Sequence, residues 1–85
     1  MTYTLAIKRS AQKDLAALHP QAQAVVDQRI RVLADTPRPP GALPLRGRWR
    51  GFWRVRAGDY RIIYTIDDAA QVVTVVAIGP RESVY

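Results

Sequence analysis

Eleven of the thirteen basic residues in this chain of 85 are arginines, and seven of those fall between positions 38 and 61. Arg38, Arg46, Arg48, Arg50, Arg54, Arg56 and Arg61 share that stretch with a single acid, Asp59, while bases and acids balance elsewhere. The formal charge of +6 is therefore local, which marks a surface for a partner more than a general aid to solubility. Guanidinium forks match the oxygens of phosphate and carboxylate, so the partner class is nucleic acid or an acidic protein segment. Close to the end of the chain stand one more arginine, Arg81, and a tyrosine, Tyr85. A phenol is a weak base with a pKa of about 10, but neighbouring guanidinium groups favour the phenolate and make a base that needs no metal.

Other chemistries are closed off by composition. With no cysteine there is no disulfide, thiolate metal site or sulfur nucleophile, and with one histidine, His19, most metal and imidazole chemistry goes too. No metal or cofactor is implied. Lys8 and Arg9 come before any apolar stretch of signal-peptide length, and no apolar run approaches the roughly 20 residues of a membrane span. The expectation is a single cytoplasmic domain over residues 1–85, with no membrane partner.

The elements that must position the arginines follow from periodicity. Tyr3, Leu5 and Ile7 alternate with Thr4, Ala6 and Lys8, the pattern of a half-buried strand. Ser10 is placed to cap a short helix over 11–18, with Ala11, Leu15 and Leu18 on its apolar face and His19-Pro20 as its stop. His19 is expected as a cap or a surface residue of that turn. Pro20 suits the first turn of a second helix reaching about residue 35, whose stripe is Ala22, Val26, Ile30 and Leu33, widened by Val25. Residues 36–47 hold four prolines and two glycines, a stiff connector that disfavours helix and central strand alike. Three strand-like runs close the chain: Trp49–Ala57, Tyr60–Asp67 and Val72–Ile78, separated by Gly58-Asp59 and by Asp68–Gln71, lengths that fit hairpins. The Asp67-Asp68 pair belongs to the second turn. The fold class is α+β: an N-terminal strand, an αα-hairpin and a three-stranded antiparallel meander, the hairpin packed on one face of a four-stranded sheet.

Alternation assigns the faces. Trp53, Val55 and Ala57 point one way, so Arg54 and Arg56 project together from the other. In the next run Tyr60, Ile62, Tyr64 and Ile66 form the apolar set, which leaves Arg61 on the opposite face with Ile63 and Thr65. The arginines thus form a cationic floor on the open side of the sheet.

In this order of elements, and in Phe52-Trp53-Arg54-Val55-Arg56-Ala57-Gly58-Asp59-Tyr60-Arg61-Ile62-Ile63-Tyr64 and Ile78-Gly79-Pro80-Arg81-Glu82-Ser83-Val84-Tyr85, the sequence resembles the RelE/ParE superfamily of bacterial toxin–antitoxin toxins. Pro39-Pro40-Gly41 and Leu45-Arg46-Gly47 are similar to the family's approach to the first of these segments. The resemblance spans nearly the whole chain and implies a RelE-like fold. Its two branches act differently: RelE-like toxins cut messenger RNA in the ribosomal A site, and ParE-like toxins poison DNA gyrase.

The RelE branch uses basic residues on one strand, an arginine on the next, and an arginine and a late tyrosine near the end. Here Arg54 and Arg56, Arg61, Arg81 and Tyr85 stand at matching places, which favours a ribosome-dependent endoribonuclease that inhibits translation. By this resemblance those five are the catalytic set, and Arg46, Arg48 and Arg50 add RNA contacts. The family's best-studied arrangement has lysines where Arg54 and Arg56 stand. Arginine keeps the charge but is a poor proton donor, so charge stabilisation survives the exchange better than acid/base duty. The resemblance also implies a cognate antitoxin, RelB-like or other, whose acidic or amphipathic segment covers the basic face. Ribosome and mRNA are further partners, and operator DNA is reached only through the antitoxin complex. The alternatives are a gyrase-directed toxin without ribonuclease activity, and a degenerate toxin that serves only as antitoxin partner and co-repressor.

Overall fold

A computed structural model describes residues 2–80. The chain forms β1 (Thr4–Ile7), α1 (Arg9–Ala16), α2 (Pro20–Asp35), β2 (Leu43–Pro44), a 3-10 turn (Gly47–Trp49), β3 (Phe52–Ala57), β4 (Tyr60–Asp67) and β5 (Val72–Pro80). The strands make one sheet in the order β1-β5-β4-β3-β2. β1 runs parallel to β5, and every other neighbouring pair is antiparallel. The α+β class and the helical hairpin stand as expected, but the sheet has five strands, because the proline-rich connector contributes Leu43–Pro44 at the edge. Proline is admissible there: an edge strand pairs on one side only and does not need the missing N–H.

One face of the sheet makes the core. Ala11 from α1 and Val26, Ile30 and Leu33 from α2 pack on Val55, Ala57, Ile62, Tyr64, Val73, Val75 and Ile78. The period of two on the strands and of 3.6 on the helices therefore meet in one apolar layer. Val25 is the exception to the expected stripe, for it is 48% exposed and lies beside the β3–β4 turn. Tyr64 is the largest fully buried side chain, and its hydroxyl donates to the Pro37 carbonyl at 2.8 Å. Burial pushes its phenol pKa up to about 12.

The ends of the elements obey local chemistry. α1 starts at Arg9 after Lys8, and Ser10 does not cap it. The Ser10 hydroxyl instead donates to the Val76 carbonyl on β5 at 3.3 Å. His19 does cap α2: its Nδ1 accepts from the Ala22 N–H at 3.4 Å, with Pro20 in the first turn. β3 begins at Phe52, not at Trp49, since Gly47 and Gly51 take φ of 65° and 94° and turn the chain before it. Gly58 with φ of 62° opens the tight β3–β4 hairpin.

Arg38 ties the connector to the β4–β5 turn. Arg38 forks onto Asp68 (2.9 and 3.3 Å) while lying 5.2 Å from the Trp53 ring centre, and the Tyr3 hydroxyl donates to the same carboxylate at 2.7 Å. Asp68 is held below the usual carboxylate range by Arg38 and then by Tyr3. Asp67 accepts from the Ala70 N–H at 3.0 Å and so supports the β4–β5 turn from within, whereas the Asp68 carboxylate, expected to do the same, reaches out to Arg38 and Tyr3. Among the described residues no helix is long and apolar enough to cross a membrane.

Candidate functional site

The face away from the helices is laid out by strand register. Arg56 pairs directly with Arg61, which in turn pairs with Gly79 on β5. In the next row Leu43, Arg54, Ile63 and Ala77 lie side by side across β2, β3, β4 and β5, and beyond them Phe52, Thr65 and Thr74. Three guanidinium groups thus share one surface, bordered on β5 by Gly79 and Ala77, which put almost no side chain over it. Arg56 is exposed, and Arg54 and Arg61 are half-buried. Like charges directly opposite one another across an antiparallel pair are unfavourable by themselves.

A bulge sets the β5 side of this surface. Ile63 pairs with Ala77 and Tyr64 with Val75, so Val76 is the extra residue. α1 holds the irregular backbone from the other face: Ser10 takes the Val76 carbonyl, and the Asp14 carboxylate accepts from the Ile78 N–H at 3.1 Å. β5 then runs on to Pro80, which pairs with Tyr60 at the start of β4, one residue from Arg61. The last described residue of β5 therefore lies at the Arg56–Arg61 end. Arg81 and Tyr85 lie outside the described residues.

At the other end, Arg46, Trp49 and Arg54 line a groove of about 470 Å³ with Leu43, Pro44 and Leu45. Arg48 and Arg50 are exposed around the 3-10 turn. A second hollow of about 280 Å³ lies between Arg29, Gly41, Leu43 and the Arg54–Arg56 segment. Arg29 was not among the residues expected at the site. Its Nε donates to the Arg56 carbonyl at 3.2 Å and its Nη2 to the Pro40 carbonyl at 3.3 Å, so α2 braces both β3 and the connector behind the arginine face. Its place next to Ile30 of the buried stripe was the only signal available in the sequence. Arg38, by contrast, belongs to the central arginine run yet works in the Asp68 fastening.

A helical hairpin covering one side of a mixed sheet, with an arginine floor on the other, defines a small basic α+β domain. The family model for the ParE toxin of the type II toxin–antitoxin system, parDE, matches residues 5–85. The chain belongs to this family and is a RelE-like toxin. Toxin RelE of Mycobacterium tuberculosis is 36% identical over 84 residues, covering 98% of this chain and 86% of the relative. Toxin RelG of the same organism is 34% identical over 86 residues, covering 100% and 98%. The toxin–antitoxin complex RelBE2 of M. tuberculosis contains a chain that superposes with a TM-score of 0.86 at 30% identity, covering 95% of this chain and all of that one.

Proposed function

We propose that this toxin is a ribosome-dependent mRNA endoribonuclease. The observation that carries the reading is the convergence of Arg54, Arg56 and Arg61 on the sheet face away from the helices, with Arg56 directly opposite Arg61. Such an arrangement fits a phosphodiester whose charge grows during reaction, because fixed cationic donors lower the barrier where charge builds. Similarity to a relative named Toxin RelE supports the same branch.

In the step so proposed, the 2′-hydroxyl oxygen attacks the adjacent phosphorus and its proton passes to the Tyr85 phenolate. The P–O5′ bond breaks and the departing 5′-oxygen takes a proton from water, leaving a 2′,3′-cyclic phosphate and a 5′-hydroxyl. Arg61 and Arg81 hold the non-bridging oxygens, and Arg54 or Arg56 orients the backbone and steadies the departing 5′-oxygen. Support for this role comes from Pro80, the residue before Arg81 in the sequence, which pairs with Tyr60 next to Arg61. Arg46, Arg48 and Arg50 extend the cationic surface along the RNA. Phosphate contacts carry no sequence information, so base choice comes from the ribosomal RNA and codon stacking as much as from this protein.

In this reading the toxin is held by a cognate antitoxin. The neighbouring M. tuberculosis structure is a toxin–antitoxin complex. An acidic or amphipathic antitoxin segment fits the charge of the arginine face and would cover it. Operator DNA is reached only through that complex.

The test is cleavage of mRNA on programmed ribosomes by wild type, Arg61→Ala, Arg81→Ala and Tyr85→Phe. Each substitution is expected to lower the rate by on the order of 100-fold or more. Unchanged cleavage with Arg81→Ala and Tyr85→Phe would contradict the assignment. Because the matching family model is that of ParE, absence of any cleavage would move the function to gyrase, with the arginines as a contact surface.

A further inference from the structure

β2 covers only part of the outer edge of β3. Alternate residues of β3 turn their backbone groups to that edge: the Phe52 carbonyl accepts from the Leu45 N–H at 2.9 Å, and Arg54 pairs with Leu43. Arg56 is the next in this series, but β2 does not reach it, because the Ala42 N–H turns back to the Pro39 carbonyl at 2.9 Å around Gly41, whose φ is 93°. The Arg56 carbonyl accepts instead from the side chain of Arg29 on α2, at 3.2 Å from Nε. Through Nη2 the same guanidinium donates to the Pro40 carbonyl, inside the turn, at 3.3 Å. One planar fork thus continues the ladder where the strand stops and ties the turn to it. A hollow of about 280 Å³ lies between Arg29, Gly41, Leu43 and the Arg54–Arg56 segment, so close packing does not set their spacing there. The Arg29 stem starts from a fixed point, since Val26, Ile30 and Leu33 anchor α2 in the core.

We propose that Arg29 is a positioning residue for the arginine face, acting through the Arg56 peptide and the 39–42 turn without touching RNA itself. The inference rests on the ribonuclease reading and deepens it. Both β3 arginines fall within its reach: the turn sets Leu43 down opposite Arg54, and the other arm of the fork holds the peptide of Arg56. Stabilisation by fixed cations depends on where they stand, and a displacement of about 1 Å can cost about 100-fold in rate. Attraction to phosphate is more tolerant, because it depends mainly on how many charges are neutralised. Loss of the brace therefore falls on the rate of the chemical step and not on RNA affinity. A lysine at position 29 keeps the charge but lacks the fork that spans two carbonyls.

The experiment measures the maximal rate of mRNA cleavage on programmed ribosomes for wild type, Arg29→Ala and Arg29→Lys, each also combined with Arg56→Gln. In parallel the full chain is titrated with a fluorescent single-stranded 2′-O-methyl oligoribonucleotide, which cannot be cut. Arg29→Ala is expected to lower the maximal rate by about 10-fold or more, and Arg29→Lys by most of that. Oligonucleotide affinity is expected to stay within about 3-fold of wild type with the same salt dependence, since no phosphate contact is removed. In the Arg56→Gln background Arg29→Ala is expected to add less than about 3-fold, the coupling of a residue that acts through Arg56. Should Arg29→Ala not fold, Arg29→Lys, which retains the aliphatic stem, takes its part in every comparison. A wild-type rate in both Arg29 variants would overturn the positioning role and leave the ribonuclease reading in place. A full rate in Arg29→Lys with weakened RNA binding in Arg29→Ala would make Arg29 a phosphate contact and overturn the role as well. So would an undiminished loss in the Arg56→Gln background, the sign of a merely structural part. Absence of cleavage by wild type would overturn both readings.

Discussion

Arg56 and Arg61 face each other across the β3–β4 pair, where opposed side chains start only about 5 Å apart. Like charges so placed repel by themselves, so removing the exposed Arg56 charge tests function apart from stability. Arg56→Gln is expected to raise stability by a few tenths of a kcal/mol in chemical denaturation and to lower mRNA cleavage by on the order of 100-fold. A variant that loses stability as well would place the Arg56 side chain in a structural role. Tyr64 gives the converse case, a buried polar group that serves the fold. Its phenol is neutral in the native state, with a pKa pushed up to about 12 from an ordinary value of 10, so it binds its proton more tightly folded than unfolded. That contribution is complete below pH 10 and is lost as the pH rises from about 10 through about 12. Tyr64→Phe is expected to cost about 1 kcal/mol at neutral pH, through the lost hydrogen bond to the Pro37 carbonyl, and to flatten the alkaline fall of the unfolding midpoint.

At the scale of elements, α1 is more than a cover for the core. Its Asp14 and Ser10 occupy the backbone groups around the β5 bulge, and so fix the strand that leads to Arg81 and Tyr85. Asp14→Ala is expected to destabilise the domain by about 1–3 kcal/mol and to speed amide exchange at Ile78 above that of its neighbours, whereas Asp14→Asn, which keeps an acceptor, holds the Ile78 amide protected. Uniform exchange along β5 in Asp14→Ala would contradict this role. The same elements show what the sequence could reveal. Both helices, the three long strands and the sidedness of Arg54, Arg56 and Arg61 followed from periods of 3.6 and 2, since burial on one face is what those periods record. β2 did not, because Leu43–Pro44 exists only by pairing with an edge that the sequence does not display. Trp49 read as strand by its bulk, and two positive-φ glycines turned it into the wall of a groove. Arg29 reaches β3 through tertiary packing, which no local spacing encodes.

For the whole molecule, helices and apolar layer lie on one side and the excess arginine charge on the other and at the β2 edge, so the net charge of +6 acts as a directed field. If about three phosphates are neutralised, single-strand binding is expected to weaken by about 20-fold between about 50 and about 200 mM salt. A salt-independent affinity, measured by the same oligonucleotide titration, would mean that the arginines do not contact phosphate. The central claim, that the arginine face is a site for cutting mRNA, is tested most directly by inducing wild type and Tyr85→Phe in a host without the antitoxin and mapping transcript 5′ ends during translation. The account predicts new ends inside translated codons with wild type and their absence with Tyr85→Phe. Growth arrest with intact transcripts in both strains would contradict it.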